Sequence, residues 1–431
     1  MPESRLSAVG EGPWSSISKA LSAFRTQWPR ALNIGGYNTL RFLLLEPFFG
    51  GSHRDFAEGL VKHSRHEIDL VTLPPRFWKW RMRGAALHFW GKLRNPASKG
   101  GVWPGSYDGL IVSGLMSLAD FKSMAGAACP PAMVYFHESQ LTYPLATDEA
   151  FDAQFGFTDI TTALAADRVV FNSQTHFDSF FDRLPGFLGM MPDYRPNWVM
   201  GEIRRKACVL HPGCSLPLYE KPVQSRGTGP PLIVWNHRWE FDKNPEAFFE
   251  GLYALLDRGD DFRVALMGER YRRIPPAFDR AGTILGDRIV HDAYITDKDA
   301  YHGMLRRGDI VVSTAFQENF GISVVEAVAA GCLPLLPRRL SYPEILPPAF
   351  HRDFLYEGPE DFIEKLSRLI AGGHRMSMAR EQLVRAMGAY AWSRAAARYD
   401  TLLSEMAALK GAPCKRPTTS VGSNSGLDKC E

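Results

Sequence analysis

The chain has 431 residues, 45% apolar and 23% charged, which excludes a disordered, collagen-like or coiled-coil protein and suits two or three domains. Its 50 Lys and Arg stand against 47 Asp and Glu, a net charge of +3, so bulk charge signals no nucleic-acid partner and the question passes to how the charge is distributed. No apolar run reaches the roughly 18–20 residues that span a bilayer, and the six cysteines form no C-x-x-C pair, which reads as reduced thiols in a cytoplasmic chain.

Residues 1–38 lack the continuous apolar stretch of a secretory leader and are expected to form a flexible extension. From residue 39 short apolar runs alternate with amphipathic stretches. Strands are expected at Arg41–Leu45, Ile68–Leu73, Leu110–Ser113, Ala132–Phe136 and Arg168–Phe171, with a helix over His53–His63. The Gly- and Pro-rich stretch 224–231 then breaks the rhythm and marks a linker between a first domain, 39–223, and a second, 232–410. Strands resume at Leu232–Trp235, Phe262–Met267, Arg288–Asp292, Ile310–Ser313 and Leu333–Leu336, with helices over Pro245–Leu256 and Ile322–Ala330. Residues 411–431 are polar and read as a disordered tail. Two successive runs of this kind predict an α/β protein of two facing Rossmann-like, doubly wound domains, with ligands at the carboxyl ends of the strands.

The chain has no G-x-x-x-x-G-K-[ST], no G-x-G-x-x-G after its first strand and no G-x-S-x-G, which argues against a P-loop NTPase, an NAD dehydrogenase and a serine hydrolase. Its D-x-D pair, Asp297 and Asp299, reads more readily as the acidic start of a helix than as a metal site.

Three pieces of the second half carry chemistry. Arg238 and Lys243 lie in the loop that leaves its first strand, with Pro245 opening the next helix. Two cations beside a helix N-terminus suit a diphosphate; a solvated loop is the competing reading. Glu318 and Glu326 stand eight positions apart around Gly321 and Ile322, where backbone N–H groups can meet phosphate; Glu326, inside an apolar run, needs a partner such as a ribose diol. Met267, Gly268 and Tyr294 follow strands and either frame a nucleobase or pack the core. Arg-x4-Lys followed by Glu-x7-Glu resembles the retaining GT-B glycosyltransferases of the glycogen-synthase type. That resemblance implies that Arg238 and Lys243 bind the donor diphosphate, Glu326 the ribose and Glu318 the sugar hydroxyls.

In the first half, Glu46-Pro-Phe-Phe-Gly50-Gly51-Ser52-His53 reads as a strand-to-helix turn that can take an anion, with Ser52 as the expected N-cap. His137 and Glu138 leave another strand together with Gln140 and Tyr143, and are candidates for positioning the sugar or the acceptor; Asn172 and Ser173 follow a third strand end. Between 74 and 104 lie seven Lys or Arg, no Asp or Glu and six aromatic residues, with Arg76, Trp78, Lys79, Trp80, Arg81 and Arg83 at their densest. Cations neutralise phosphates and aromatic faces stack unpaired bases, so the block suits loop or single-stranded RNA; a core-facing helix and a membrane-surface patch remain as alternatives.

These segments, with Ser341-Tyr-Pro-Glu344, resemble the tRNA-queuosine α-mannosyltransferase family over residues 41–410. The resemblance implies transfer of mannose from GDP-mannose to queuosine at the wobble position of tRNA(Asp), no metal or other cofactor, and acceptor binding through the basic block with Gln140 and Tyr143. Where the family pattern reads His-Glu-Phe-Phe-Gly, this chain has Gln317-Glu-Asn319-Phe-Gly321. A lipid or cell-surface glycan acceptor, and a non-catalytic RNA-binding protein on the same fold, are the competing functions.

Overall fold

β1 (Arg41–Glu46) shows how the first domain is built. Its alternate residues serve two cores: Phe42 and Leu44 join one apolar cluster, Leu43 and Leu45 the other. A strand so buried on both faces belongs inside a parallel sheet. β1 pairs in parallel with β2 (Glu67–Thr72) and β3 (Gly109–Ser113), and β4 (Ala132–Phe136), β5 (Arg168–Phe171) and β6 (Ala207–Val209) complete the order β2-β1-β3-β4-β5-β6. The second sheet contains β7 (Leu232–Trp235), β8 (Arg263–Leu266), β9 (Ile289–Asp292), β10 (Ile310–Val312), β11 (Leu333–Pro337) and β12 (Leu355–Tyr356), ordered β12-β11-β10-β7-β8-β9 and parallel throughout. This computed structural model describes residues 39–94, 104–145, 150–216, 229–270, 274–373 and 376–410. The extension 1–38, the tail 411–431, most of the linker 224–231, and Lys99 and Trp103 of the basic block lie outside the described residues.

In both sheets strand order reverses beside the first strand, between β1 and β3 and between β7 and β10. Loops diverging at such a point open a crevice at the strands' carboxyl ends. Three strands keep their expected bounds and most others shift by a residue or two; β6 and β12, three and two residues long, are too short for a periodic signal.

The expected second domain, 232–410, ends differently. The last helix, Trp392–Ala407, packs Trp392, Tyr399, Leu403 and Met406 against Phe42, Phe56 and Leu60 of the first domain. Asp400 accepts hydrogen bonds there from Ser64 Oγ (2.5 Å) and Arg65 N (3.1 Å). An amphipathic pattern says that a helix has a face to bury, but not which sheet receives it. The chain therefore crosses the cleft twice.

Candidate active site

The loop after β7 is held from several sides. Gly268 is essential to it: a Cβ there would lie 1.6 Å from His237 O, so only glycine lets the two backbones approach this closely. Gly268 thus shapes the loop that carries Arg238. Met267, the companion expected at a nucleobase, is buried in the second core, while Tyr294 is about half exposed after β9. Thr314 Oγ1 donates to the carbonyls of Lys243 (3.0 Å) and Asn244 (2.8 Å), and Asn244 turns through φ +51° into the helix Pro245–Asp257. Arg238 meets Glu240 at 2.8 Å and Asp242 at 3.7 Å. Lys243 is buried; its Nζ donates to Gln317 O at 2.6 Å and lies 3.3 Å from both Asp242 and Glu318. The Arg/Lys pair and the first Glu of the sequence pattern are thereby in one cluster, with Asp242 as a member that spacing did not reveal.

Gly321 sits at φ +95° and opens the helix Ile322–Ala329; no side chain caps it, and with Val324 N already donating to Gly321 O (3.1 Å) the start of its first turn, Ile322 and Ser323, is the part that can meet an anion. Ile322 packs against the second core. Four residues on, Glu326 is buried and accepts a hydrogen bond from Tyr301 OH at 3.1 Å; Tyr301 OH in turn accepts one from Asn236 Nδ2 at 3.0 Å. Burial pushes the Glu326 carboxyl up to about 7, and Lys298 only partly opposes it. Neither Asn236 nor Tyr301 stood out in the sequence.

On the first domain the turn after β1 folds around Glu46. Its Oε1 accepts from Phe48 N (2.8 Å) and Ser113 Oγ (3.1 Å) and lies 3.2 Å from His53 Nδ1. Gly50, not the expected Ser52, is the N-cap; the helix Gly51–His63 begins two residues earlier than a Ser52 cap would require and no side chain caps it. His53 stacks on His137, ring centroids 3.9 Å apart. Burial lowers the His53 pKa, but the Glu46 carboxylate outweighs it and leaves the imidazole above its ordinary value. His137 is driven well below the ordinary value by burial, helped by His53 and His176, so it is a neutral ring. Its Nε2 is buried without a protein partner. Glu46, His53 and His137 each bring one ligand atom within 4.8 Å of the others, the spacing of a possible metal trio. Glu46 is already committed to three hydrogen-bonding groups, however, and face-to-face imidazoles do not converge their lone pairs well, so the trio reads best as a brace that orients His137.

The loop that follows is built on Asp159, whose Oδ2 accepts from Ser139 Oγ (2.9 Å) and Gln140 N (2.6 Å). Burial raises that carboxyl to about 8. Gln140 and Glu138 are half-buried beside it. Tyr143, an expected acceptor residue, reaches the loop after β7: its hydroxyl accepts from Arg238 and donates to Asp242 Oδ2, each at 3.4 Å. Other contacts join the halves. Asn319 Nδ2 donates to His137 O (3.1 Å), a carbonyl that also accepts from Asn172 Nδ2 within the first domain (2.9 Å). Lys298 pairs with Asp55 at 2.8 Å. Glu344 accepts from the N–H groups of Gln174 and Thr175 at the start of the helix Gln174–Leu188 and meets His211 at 2.6 Å. Asn319 is, with Gln317, one of the two positions at which the chain departs from the pattern His-Glu-Phe-Phe-Gly.

The basic block divides. In the helix Trp78–Leu93, Met82, Ala85, Ala86, Phe89 and Leu93 are core. Trp78 is half-buried against Phe155 (5.1 Å), Arg81 is half-buried, and Arg83 donates to Gln154 Oε1 at 2.8 Å. Arg76, Lys79 and Arg83 stay exposed, with Trp80 77% and Phe77 67% accessible. The core-helix reading and the exposed cationic-aromatic reading therefore hold for opposite faces of one helix.

The family model described as tRNA-queuosine alpha-mannosyltransferase N-terminal matches residues 41–214, and the model for glycosyl transferases group 1 matches 220–386. A Drosophila melanogaster tRNA-queuosine alpha-mannosyltransferase is 35% identical over 336 residues, 75% of this chain and 85% of its own length. A Mycobacterium tuberculosis GDP-mannose-dependent phosphatidylinositol dimannoside mannosyltransferase is 28% identical over 178 residues, covering 41% of this chain and 44% of its own. Among solved structures, sucrose-phosphate synthase from Thermosynechococcus elongatus superposes with a TM-score of 0.62 at 12% identity, covering 86% of this chain and all of its own; Anabaena HepE in complex with UDP gives 0.59 at 14%, covering 85% and all. The fold is GT-B, and the chain belongs to the tRNA-queuosine α-mannosyltransferase family.

Proposed function

We propose that this hexosyltransferase moves mannose from GDP-mannose to the queuosine base at the wobble position of tRNA(Asp), in the cytoplasm, with retention and without a metal. The observation that carries the reading is the clustering of Arg238, Lys243 and Glu318 at the strand-order reversal of the second sheet, opposite His137. In this reading Arg238 and Lys243 bear the charge that grows on the departing diphosphate, a preorganised electrostatic role. The Gly51 and Gly321 helix starts add N–H donors, and Glu326 with Tyr301 takes the ribose. Glu318 holds sugar hydroxyls. Neutral His137, with its orphaned Nε2, supplies a hydrogen bond to the sugar. A diol hydroxyl of the queuosine cyclopentene then attacks from the leaving-group side. Arg76, Lys79, Trp80 and Arg83 grip the RNA.

Among the described residues no helix is long and apolar enough to cross a membrane. Incubating the protein with GDP-mannose and queuosine-containing tRNA, then digesting to nucleosides for mass spectrometry, is expected to show one added hexose on queuosine and none on tRNA that lacks it. Absence of any hexosylated queuosine with this donor overturns the reading; transfer into a lipid extract instead supports the membrane-acceptor alternative.

A further inference from the structure

Of the seventeen large apolar side chains that stand exposed among the described residues, nine fall in one part of the first domain: 77–87, Leu145 and Phe151, and 190–200. The helix Trp78–Leu93 accounts for only some of them. Phe151, Met190, Tyr194 and Trp198 belong to other segments, and Tyr194 and Trp198 are 60% and 59% accessible. Single exposed rings are ordinary, but several on one contiguous surface mark an interaction site.

These segments are contiguous. Trp78 packs on Phe155 and Arg83 bonds Gln154, which joins the basic helix to the start of the helix Ala153–Ala165. Phe151 meets Phe187 at 6.4 Å, and Phe157 meets it at 5.0 Å, which leads on to the end of the helix Gln174–Leu188. Met190 N bonds Phe187 O, and the chain then passes through Tyr194 and Arg195 into the helix Trp198–Arg204. That short helix lies back along its predecessor, with Arg204 over the Phe181 ring at 4.3 Å and Val199 buried in the first core. The floor of the strip is thus packed, and the rings that stand on it are open.

Cations separate the rings. Along the chain, Lys79 and half-buried Arg81 flank Trp80, and exposed Arg195 lies between Tyr194 and Trp198, while Asp193 before Tyr194 turns its Oδ1 to accept from Tyr194 N (2.8 Å). A membrane-docking or protein-docking surface would gain from a merged apolar area. Rings alternating with positive charge suit a chain that offers flat bases and phosphates in turn. We infer that Tyr194, Arg195 and Trp198 continue the basic helix, by way of Phe151, into a track for unpaired nucleotides of the acceptor RNA outside the modified base. This inference rests on the RNA acceptor proposed above and adds an anchoring region that none of the candidate site residues covers.

The test is tRNA binding by Trp198→Ala, Tyr194→Ala and the conservative Trp198→Phe, beside Arg76→Glu with Arg83→Glu, with binding of GDP measured on each protein as a control for folding. Each alanine is expected to weaken tRNA binding about tenfold, the order of one lost stacking contact. The expected kinetic signature is a raised KM for tRNA, near-normal kcat at saturation and unchanged GDP binding, with Trp198→Phe close to wild type. If Trp198→Ala and Tyr194→Ala bind tRNA as wild type while the charge reversals do not, the track is wrong and the RNA acceptor stands. If the wild-type protein binds no tRNA, both fall. Normal tRNA binding together with loss of self-association or vesicle binding in Trp198→Ala also overturns the track and assigns the strip to that other partner.

Discussion

The two regions that face the proposed substrates are built on opposite plans. Around the loop after β7, charge is already matched and partly buried: Lys243 lies buried between Asp242 and Glu318, and half-exposed Arg238 between Glu240, Asp242 and the Tyr143 hydroxyl. On and just before the basic helix, Arg76, Lys79 and Arg83 are exposed beside open rings. A small dianionic leaving group needs donors fixed in place before it arrives, since reorganising them would cost part of the stabilisation they provide. A long polyanion needs many weak contacts that tolerate movement, whose strength depends on salt. On the proposed function, the first region would govern the rate of transfer and the second the capture of the acceptor.

Variants can break this division. The largest effect is expected from Lys243→Ala, which removes a buried donor and leaves two carboxylates facing each other. kcat should fall about 100- to 1000-fold, with tRNA affinity unchanged; a matching loss of tRNA binding in a filter assay would contradict the separation. Next comes pH. Because the Glu326 carboxyl is raised to about 7 from an ordinary 4.5, the fold favours its protonated form. The stability this contributes is complete below the ordinary value and is lost as pH rises through about 7. Melting curves should show wild type losing ground to Glu326→Gln over that window, by at most about 3 kcal/mol; parallel curves would mean that the group titrates normally. Reversing Arg76 and Arg83 to Glu should cost tenfold or more in tRNA affinity and flatten the dependence of log K on log salt by about one per cation, with GDP binding intact. The smallest effect is expected for Asn319→Ala. Losing one bond to His137 O should lower kcat/KM about fivefold, the order of 1 kcal/mol. Asn319→Asp, which keeps the size but not the donor, should behave alike, whereas Asn319→Gln rescuing neither would point to cleft geometry rather than to the bond.

The same contrast explains what was legible in the sequence. The strands could be read because parallel strands are continuous apolar runs, and Arg238, Lys243, Glu318 and Glu326 because the switch-point loops fix their spacing. Tyr301, Asn236 and Asp242 escaped notice, since their roles come from neighbours brought close only by the folded sheet. The contact of Tyr143 was hidden for a related reason: a residue in a first-domain loop gives no sign that it reaches Arg238 across the cleft. The helix Trp392–Ala407 showed its amphipathicity but not its destination. Met267 sits at a strand end like a binding residue, yet the core claims it. Exposed aromatics such as Trp198 carried no motif at all and became visible only when the surface was assembled from four segments.

The most direct test uses cells. tRNA from cells with and without the protein, digested and read by nucleoside mass spectrometry, should show mannosylated queuosine vanish when the protein is removed, return with the wild-type chain and stay absent with Lys243→Ala. Undiminished mannosyl-queuosine without the protein, or full rescue by Lys243→Ala, would contradict a catalytic role.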